Sequence, residues 1–236
     1  MKIYIVGHIK PDLVSISAAV TYAEFLKKSK RYNGATIVPV ASEKPNKETE
    51  YVFNKAEIDL PQLLDEIDIE ETDAFILVDH NEESQRHAKV IPDQVIEIVD
   101  HHKINLSFTS PVRIDVKPFG CTNSSVYELC NMYGISISET AKQLILSAIL
   151  SDTIGLKSST TTGYDSEIAH KLAKELDIDV EKYTFEIFKS KSDITGLTPT
   201  EIVKKDYKIF DFAGTKVFIN QLETVEPEKV IAQKTK

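Results

Sequence analysis

The feature that most constrains this chain is a repeated punctuation. Short, apolar, β-branched runs each end in an acid or a histidine. The sharpest case is Val95-Ile96-Glu97-Ile98-Val99-Asp100-His101-His102. A run this apolar suits a strand buried on both faces, as in a parallel sheet. Residues at the carboxyl ends of such strands project into the crevice where open α/β sheets bind ligands. In an extended segment His101 and His102 point to opposite sides, so one imidazole could hold a metal while the next faces a substrate. A lone His-His pair is more often a solvated loop feature, so the reading turns on whether acids end other strands.

They do. Lys2 to Val6 runs into Gly7-His8-Ile9-Lys10-Pro11-Asp12, and Ala74 to Val78 into Asp79-His80-Asn81-Glu82. Ala35 to Val40 and Val112 to Val116 complete five strand-like runs, the last at an edge. Leu13 to about Lys30 has helical spacing in Val14, Ala18, Ala19, Tyr22 and Leu26, with Asp12 placed as its N-cap. Pro45 to Asn54 and Leu60 to Leu64 read as short helices. Thr122 or Asn123 can cap a helix ending near Gly134, whose start could also face an anion. Ser138 to Ser151 forms another helix that runs into Asp152-Thr153, and a further one leads from Asp165 to Leu176. This alternation predicts an α/β fold: a three-layer domain around a mainly parallel five-stranded sheet.

Residues 1–189 make up that domain. Ser190 to Gly196 has turn chemistry, so 190–198 reads as a linker. Residues 199–236 form a short partial α+β segment: a helix from Pro199, strands Tyr207–Phe212 and Lys216–Asn220 around Ala213-Gly214, and a polar tail from Glu223. It is too short to build a substantial core of its own.

Lys and Arg number 28 against 37 Asp and Glu, a formal charge of −9. That balance argues against a non-specific hold on long nucleic acid or an anionic membrane. No apolar run is long enough for a bilayer span. Cys121 and Cys130 lack metal-type spacing and are expected as reduced thiols in cytoplasm.

His8, Asp12, Asp79, Asp100, His101, His102 and Asp152 thus collect at the ends of strands and one helix. Carboxylate oxygen with imidazole nitrogen suits manganese, iron, cobalt or zinc better than calcium. Two such ions sharing a carboxylate can orient and deprotonate a water for attack on phosphorus.

The segments His8-Ile9-Lys10-Pro11-Asp12, Val78-Asp79-His80-Asn81-Glu82, Asp100-His101-His102 and Ser151-Asp152-Thr153 resemble the four motifs of DHH phosphoesterases. Within that superfamily the chain is most similar to the manganese-dependent (family II) inorganic pyrophosphatases. Gly120-Cys121-Thr122 and Lys157-Ser158-Ser159-Thr160 match the same branch. The resemblance implies the DHH fold and a cytoplasmic, homodimeric enzyme that hydrolyses pyrophosphate or a related phosphoanhydride. It implies that His8 and Asp12 ligate one ion, that Asp79 bridges two, and that His101 and Asp152 ligate the second. His102 contacts the substrate phosphate, and Asp100 orients a histidine. Manganese is the implied cofactor, as one or two ions, and cobalt, zinc and magnesium are the other ions such ligands accept.

The chain departs from the family pattern in three places. Val14 stands where a carboxylate ligand of the second ion is expected. Lys10 replaces an Asn. The second domain lacks both an early Lys, where Gly196-Leu197-Thr198 stands, and a late basic motif, and the last arginine of the chain is Arg113. These departures keep two other readings open: a degenerate metal- or phosphate-binding relative with little turnover, and a DHH phosphodiesterase acting on short nucleotides. Against the latter, no Gly-Gly-Gly-His motif occurs. Arg and paired Lys donors neutralise developing charge in phosphoryl transfer. Their absence from the lid predicts weak pyrophosphate affinity and an open site, and a KM in the low micromolar range would contradict this.

Overall fold

A computed structural model of the chain describes residues 1–204, 207–220, 224–225 and 227–228. β1 (Lys2–Val6), α1 (Leu13–Ser29) and β2 (Thr36–Val40) open the chain, followed by α2 (Lys47–Lys55), β3 (Ala74–Val78), β4 (Val95–Asp100) and β5 (Arg113–Val116). Then come α3 (Thr122–Met132), α4 (Glu139–Asp152), α5 (Gly163–Glu175) and α6 (Val180–Lys191). A short α7 (Pro199–Val203) and the hairpin β6 (Tyr207–Phe212) and β7 (Thr215–Asn220) follow. The expected helix at Leu60 to Leu64 is instead a single 3-10 turn at Leu64–Glu66. Leu63 and Ala41 bridge just before it, which holds that stretch extended. The polar tail falls outside the described residues apart from Thr224, Val225, Pro227 and Glu228.

The five-stranded sheet has the order β2-β1-β3-β4-β5, and all its pairings are parallel. Parallel neighbours need crossover connections, so both faces are covered. One face packs Ile3, Ile5, Ile76 and Val78 against α1, α3, α4 and α5. The other packs Tyr4, Phe75, Leu77 and Ile98 against the 3-10 turn at Leu64 and against Val90, Leu106 and Phe108. The result is a three-layer α/β domain. The chain passes from β1 to β2 on one side and then to β3 on the other. The switch point, where such sheets bind ligands, therefore lies between the carboxyl ends of β1 and β3.

Two local features lock α1 onto the sheet, one at its start and one towards its C-terminal end. Asp12 has extended backbone geometry and its carboxylate accepts from Ser15 N at 3.0 Å, a direct N-cap. Glu97 interrupts the apolar run of β4 and is fully buried. It accepts from Tyr22 Oη at 2.8 Å, Arg31 Nη1 at 2.7 Å, Tyr32 Oη at 2.8 Å and Arg113 Nε at 3.0 Å. A buried carboxylate is tolerated only with such full pairing.

The hairpin β6–β7 is antiparallel, with Ile209, Phe212 and Ile219 exposed. At Gly7, between β1 and His8, a Cβ would fall 2.5 Å from Ser15 Cβ. Only glycine lets the first turn of α1 close onto the strand end. We expect Gly7→Ala to destabilise the domain by about 1–3 kcal/mol in urea unfolding, as overpacked sites do. Unchanged stability would mean α1 can retreat without cost.

Candidate metal centre at the switch point

The centre is built around Asp79. This residue takes φ +61°, a left-handed backbone that non-glycine residues seldom adopt. Its N–H donates to Val99 O at 3.0 Å, so the chain turns sharply while still paired to β4. The turn points the carboxylate into the crevice with its two oxygens facing different partners. Oδ2 lies 3.6 Å from His8 Nε2, and Oδ1 lies 3.5 Å from His101 Nε2. Asp12 Oδ1 lies 3.5 Å from His8 Nε2, and Asp152 Oδ2 lies 3.6 Å from His101 Nε2. All five side chains expected to hold metal are thus brought together, in two halves joined by Asp79.

These spacings are too long for hydrogen bonds. Two donors each about 2.1 Å from a shared ion sit roughly 3.0–3.6 Å apart, so the spacings suit ligation. Each imidazole is oriented for it. His8 Nδ1 lies 2.8 Å from Ile9 O, and His101 Nδ1 lies 3.0 Å from Phe119 O, which leaves both Nε2 atoms toward the carboxylates. Asp152 Oδ2 is buried and has no hydrogen-bond partner among the described residues. Burial, and next the charge of Asp79, push the Asp152 carboxyl up to about 7. Burial alone would lower His8, but Asp12 and Asp79 outweigh it and raise it to about 11. Burial likewise opposes ionisation of Asp12, yet His8 and, further down, the charge of Lys191 hold it below the carboxylate range. Three carboxylates converge here with too little positive charge, an arrangement that fits a cation with O and N ligands.

Asp100 and His102 form a second tier. Asp100 is fully buried. Its Oδ1 accepts from His101 N at 2.7 Å, His102 N at 3.2 Å and His102 Nδ1 at 2.8 Å. This turn departs from the extended geometry expected of the two histidines: their rings lie 4.2 Å apart, edge to face, rather than on opposite sides. The cause is the single oxygen that gathers both backbone amides. Asn81 Nδ2 donates to Asp100 Oδ2 at 2.7 Å, and Asn81 Oδ1 accepts from Asn105 N at 2.6 Å.

Sequence reasoning missed Asn81, and it misassigned Thr122 and Asn123. Neither caps α3, where Cys121 is the N-cap residue without a side-chain bond. Thr122 Oγ1 donates instead to Asp79 Oδ1 at 2.7 Å. Asn123 Nδ2 donates to Val14 O at 3.1 Å. Ser124 Oγ bonds Asp165, so the start of α3 faces the protein's own carboxylates rather than a free anion. These partners lie 41 to 109 residues away, beyond any local signal. Ser158 and Thr160 lie in an exposed loop and bond each other. Both cysteines are free and buried.

Val14 is buried at 4% exposure. It belongs to the core and also lines a cleft with Asp12, Ser151 and Asp152. Both readings of this position therefore meet at one side chain.

A parallel sheet of this order, with Asp-His-His ending its fourth strand and a two-part carboxylate–imidazole cluster at its switch point, defines a DHH-type domain. A model of the DHH family, N-terminal domain, matches residues 2–151, and one of the DHHA2 domain matches 185–236. A manganese-dependent inorganic pyrophosphatase of Methanocaldococcus jannaschii is 38% identical over 240 residues, which cover 98% of this chain and 74% of the relative. Another, from Methanothrix thermoacetophila, is 36% identical over 227 residues, covering 95% and 71%. A solved Methanococcus jannaschii structure assigned to family II inorganic pyrophosphatase superposes with TM-score 0.78 at 36% identity, covering 99% of this chain and 76% of that one. An exopolyphosphatase-related protein from Bacteroides fragilis shares the fold, with TM-score 0.63 at 16% identity and coverage of 89% and 62%. The chain belongs to the DHH family and, within it, to the manganese-dependent inorganic pyrophosphatases.

The Asp100 hydrogen bond, against burial, raises the His102 imidazole to about 9. Asp100 is itself held low: burial opposes this, and the His102 hydrogen bond outweighs it. The sign follows. The His102 contribution is complete below its unfolded value near 6.5 and is lost as pH rises through about 9. The Asp100 contribution is present above roughly pH 4 and is lost on acidification. Proton NMR titration of the metal-free chain should give a His102 midpoint near 9. Asp100→Asn should return it toward about 6.5. A midpoint unmoved by Asp100→Asn would remove Asp100 as the cause.

Proposed function

We propose that this chain hydrolyses inorganic pyrophosphate, or a closely related phosphoanhydride, to two phosphates. The observation that carries the reading is the pair of carboxylate–imidazole nests sharing Asp79. Support comes also from relatives named manganese-dependent inorganic pyrophosphatase. His8, Asp12 and Asp79 would hold one manganese ion, and Asp79, His101 and Asp152 a second. When bound, these ions supply a nucleophilic water of lowered pKa and positive charge for the phosphoryl oxygens. Cobalt, zinc or magnesium are ions that the same ligands admit.

The chain's own groups then have separate tasks. His102 is half exposed beside the cluster and protonated at neutral pH, so its ring presents an N–H to a substrate phosphate. Asp100 keeps that ring in place through Nδ1, and Asn81 keeps Asp100 in place. Asp79 is the carboxylate common to both nests, and Thr122 holds one of its oxygens.

In the same reading 1–189 is the catalytic domain, 190–198 the linker and 199–236 a partial second domain. Among the described residues no helix is long and apolar enough to cross a membrane. The two free thiols support a cytoplasmic setting. The open edge at β5, with Ile114 44% exposed, supports a homodimer. A second reading, a metal- or phosphate-binding relative with little turnover, is favoured by Val14 on the cleft wall.

Phosphate release from pyrophosphate with manganese, measured beside bound-metal content, tests the function. Wild type should turn over, and Asp79→Asn should lose both activity and bound manganese. Retained manganese with no phosphate release in wild type would favour the second reading. Val14→Asp separates the two roles of that position. If its carboxylate faces an ion, manganese affinity should rise by at least the roughly 10–100-fold typical of supporting ligand changes. If the mutant binds no more metal, gains no activity and melts earlier in saturating manganese, position 14 is a core position only.

A further inference from the structure

His80 follows Asp79 directly and is buried, yet it belongs to neither nest. Its ring turns back on its own chain, where Nδ1 lies 2.9 Å from Val78 O. A carbonyl oxygen only accepts, so Nδ1 carries the proton and donates it. We propose that His80 is a positioning residue for metal binding, whose bond to Val78 O holds Asp79 in the left-handed turn that lets one carboxylate face both nests. This rests on Asp79 as the shared carboxylate and adds what keeps its backbone there.

Three observations carry the proposal. The first is where the bond closes. It spans Asp79 itself, from the residue after it to the carbonyl before it. Asp79 has φ +61°, and a strained backbone persists only where its surroundings over-determine it. Pairing of β3 to β1 ends at Leu77, whereas pairing to β4 runs on through Val78 and the Asp79 amide. The sheet therefore holds the turn from the β4 side. The imidazole ties Val78 O from within the turn, and Thr122 Oγ1 holds the carboxylate from α3.

The second is the other ring nitrogen. Nε2 is buried and has no hydrogen-bond partner among the described residues. A buried polar atom without a partner costs free energy that a phenyl ring of similar size would avoid. Filling space therefore does not account for an imidazole here. Donation from Nδ1 is what it supplies and an apolar ring cannot.

The third is the neighbour across the first nest. The His80 ring stands at right angles to the His8 ring, with planes 86° apart and centres 6.5 Å apart. His8 is itself pinned, by Nδ1 near Ile9 O and by Ser42 Oγ, which donates to His8 O. One side chain thus faces the imidazole of that nest and fixes the carboxylate opposite it. Groups that orient ligands from behind in this way tune how tightly an ion is held.

The test begins with the metal-free chain. A long-range proton–nitrogen NMR spectrum of wild type should show His80 protonated on Nδ1. Protonation on Nε2 alone would overturn the proposal without any variant. Hydrogen exchange at the Asp79 amide should quicken roughly 3–10-fold in His80→Phe, which keeps a ring and loses the donor. Manganese affinity is then measured by calorimetry in wild type, His80→Phe, His80→Gln and His80→Asn. His80→Asn sets an amide nearly where Nδ1 stands, and His80→Gln sets one near Nε2, out of reach of Val78 O. Supporting groups of this kind are worth roughly 10–100-fold in metal affinity, so His80→Phe and His80→Gln should each lose about 10-fold. His80→Asn should recover most of that loss, even though its smaller side chain lowers Tm. A role in packing alone predicts the reverse order, with His80→Asn binding manganese more weakly than His80→Phe. That order overturns the proposal, as does His80→Phe binding manganese within twofold of wild type. Should wild type bind no manganese, the metal centre fails as read, and exchange at the Asp79 amide alone still decides the role of His80.

Discussion

The rest of the site depends on the geometry at Asp79. A left-handed backbone at a non-glycine residue costs on the order of 1–3 kcal/mol. Here it lets a strand stay paired through its last amide while the side chain turns into the crevice. Had the strand continued straight, Asp79 would point to one face of the sheet and meet one histidine at most. The turn lets one carboxylate face His8 from the β1 end and His101 from the β4 end. The sheet order then supplies the crevice, since β1 and β3 part company in their connections at that point.

The buried carboxylates of this domain fall into two kinds. Glu97, Asp100 and Asp165 are saturated with donors from the protein. Asp165 alone accepts from Gly120 N, Thr162 N, Thr162 Oγ1 and Ser124 Oγ. Asp152 ends in a buried oxygen with no described partner, and the imidazoles near Asp79 and Asp152 stand at ligand spacing rather than hydrogen-bond spacing. The first kind holds loops and strands in place. The second kind has the oxygen and nitrogen donors that a bound cation would complete. Asp165 illustrates the first kind: it holds Gly120 N, and the neighbouring Phe119 O holds His101 Nδ1.

One departure from the family pattern, Val14, lies on the cleft beside the cluster. It brings an apolar surface to a cleft that Asp12, Ser151 and Asp152 also line. The hairpin beyond the linker offers aromatic and aliphatic side chains to solvent.

The sequence by itself determined the architecture. Apolar runs of strand length alternating with helical periods leave little choice but a parallel sheet, and acids at run ends place chemistry at its carboxyl edge. Position along the chain also singled out His8, Asp12, Asp79, His101, His102 and Asp152, because each ends an element. What tertiary structure alone decided was pairing. That Thr122 serves Asp79 rather than its own helix, that Asn81 holds Asp100, and that the two adjacent histidines turn the same way all depend on contacts across the fold. Glu97 belongs to the same class. A charge inside an apolar strand carries no local sign of its partners. Local patterns report what a residue does to its own backbone, whereas charge compensation is settled by whatever the fold brings within a few ångströms.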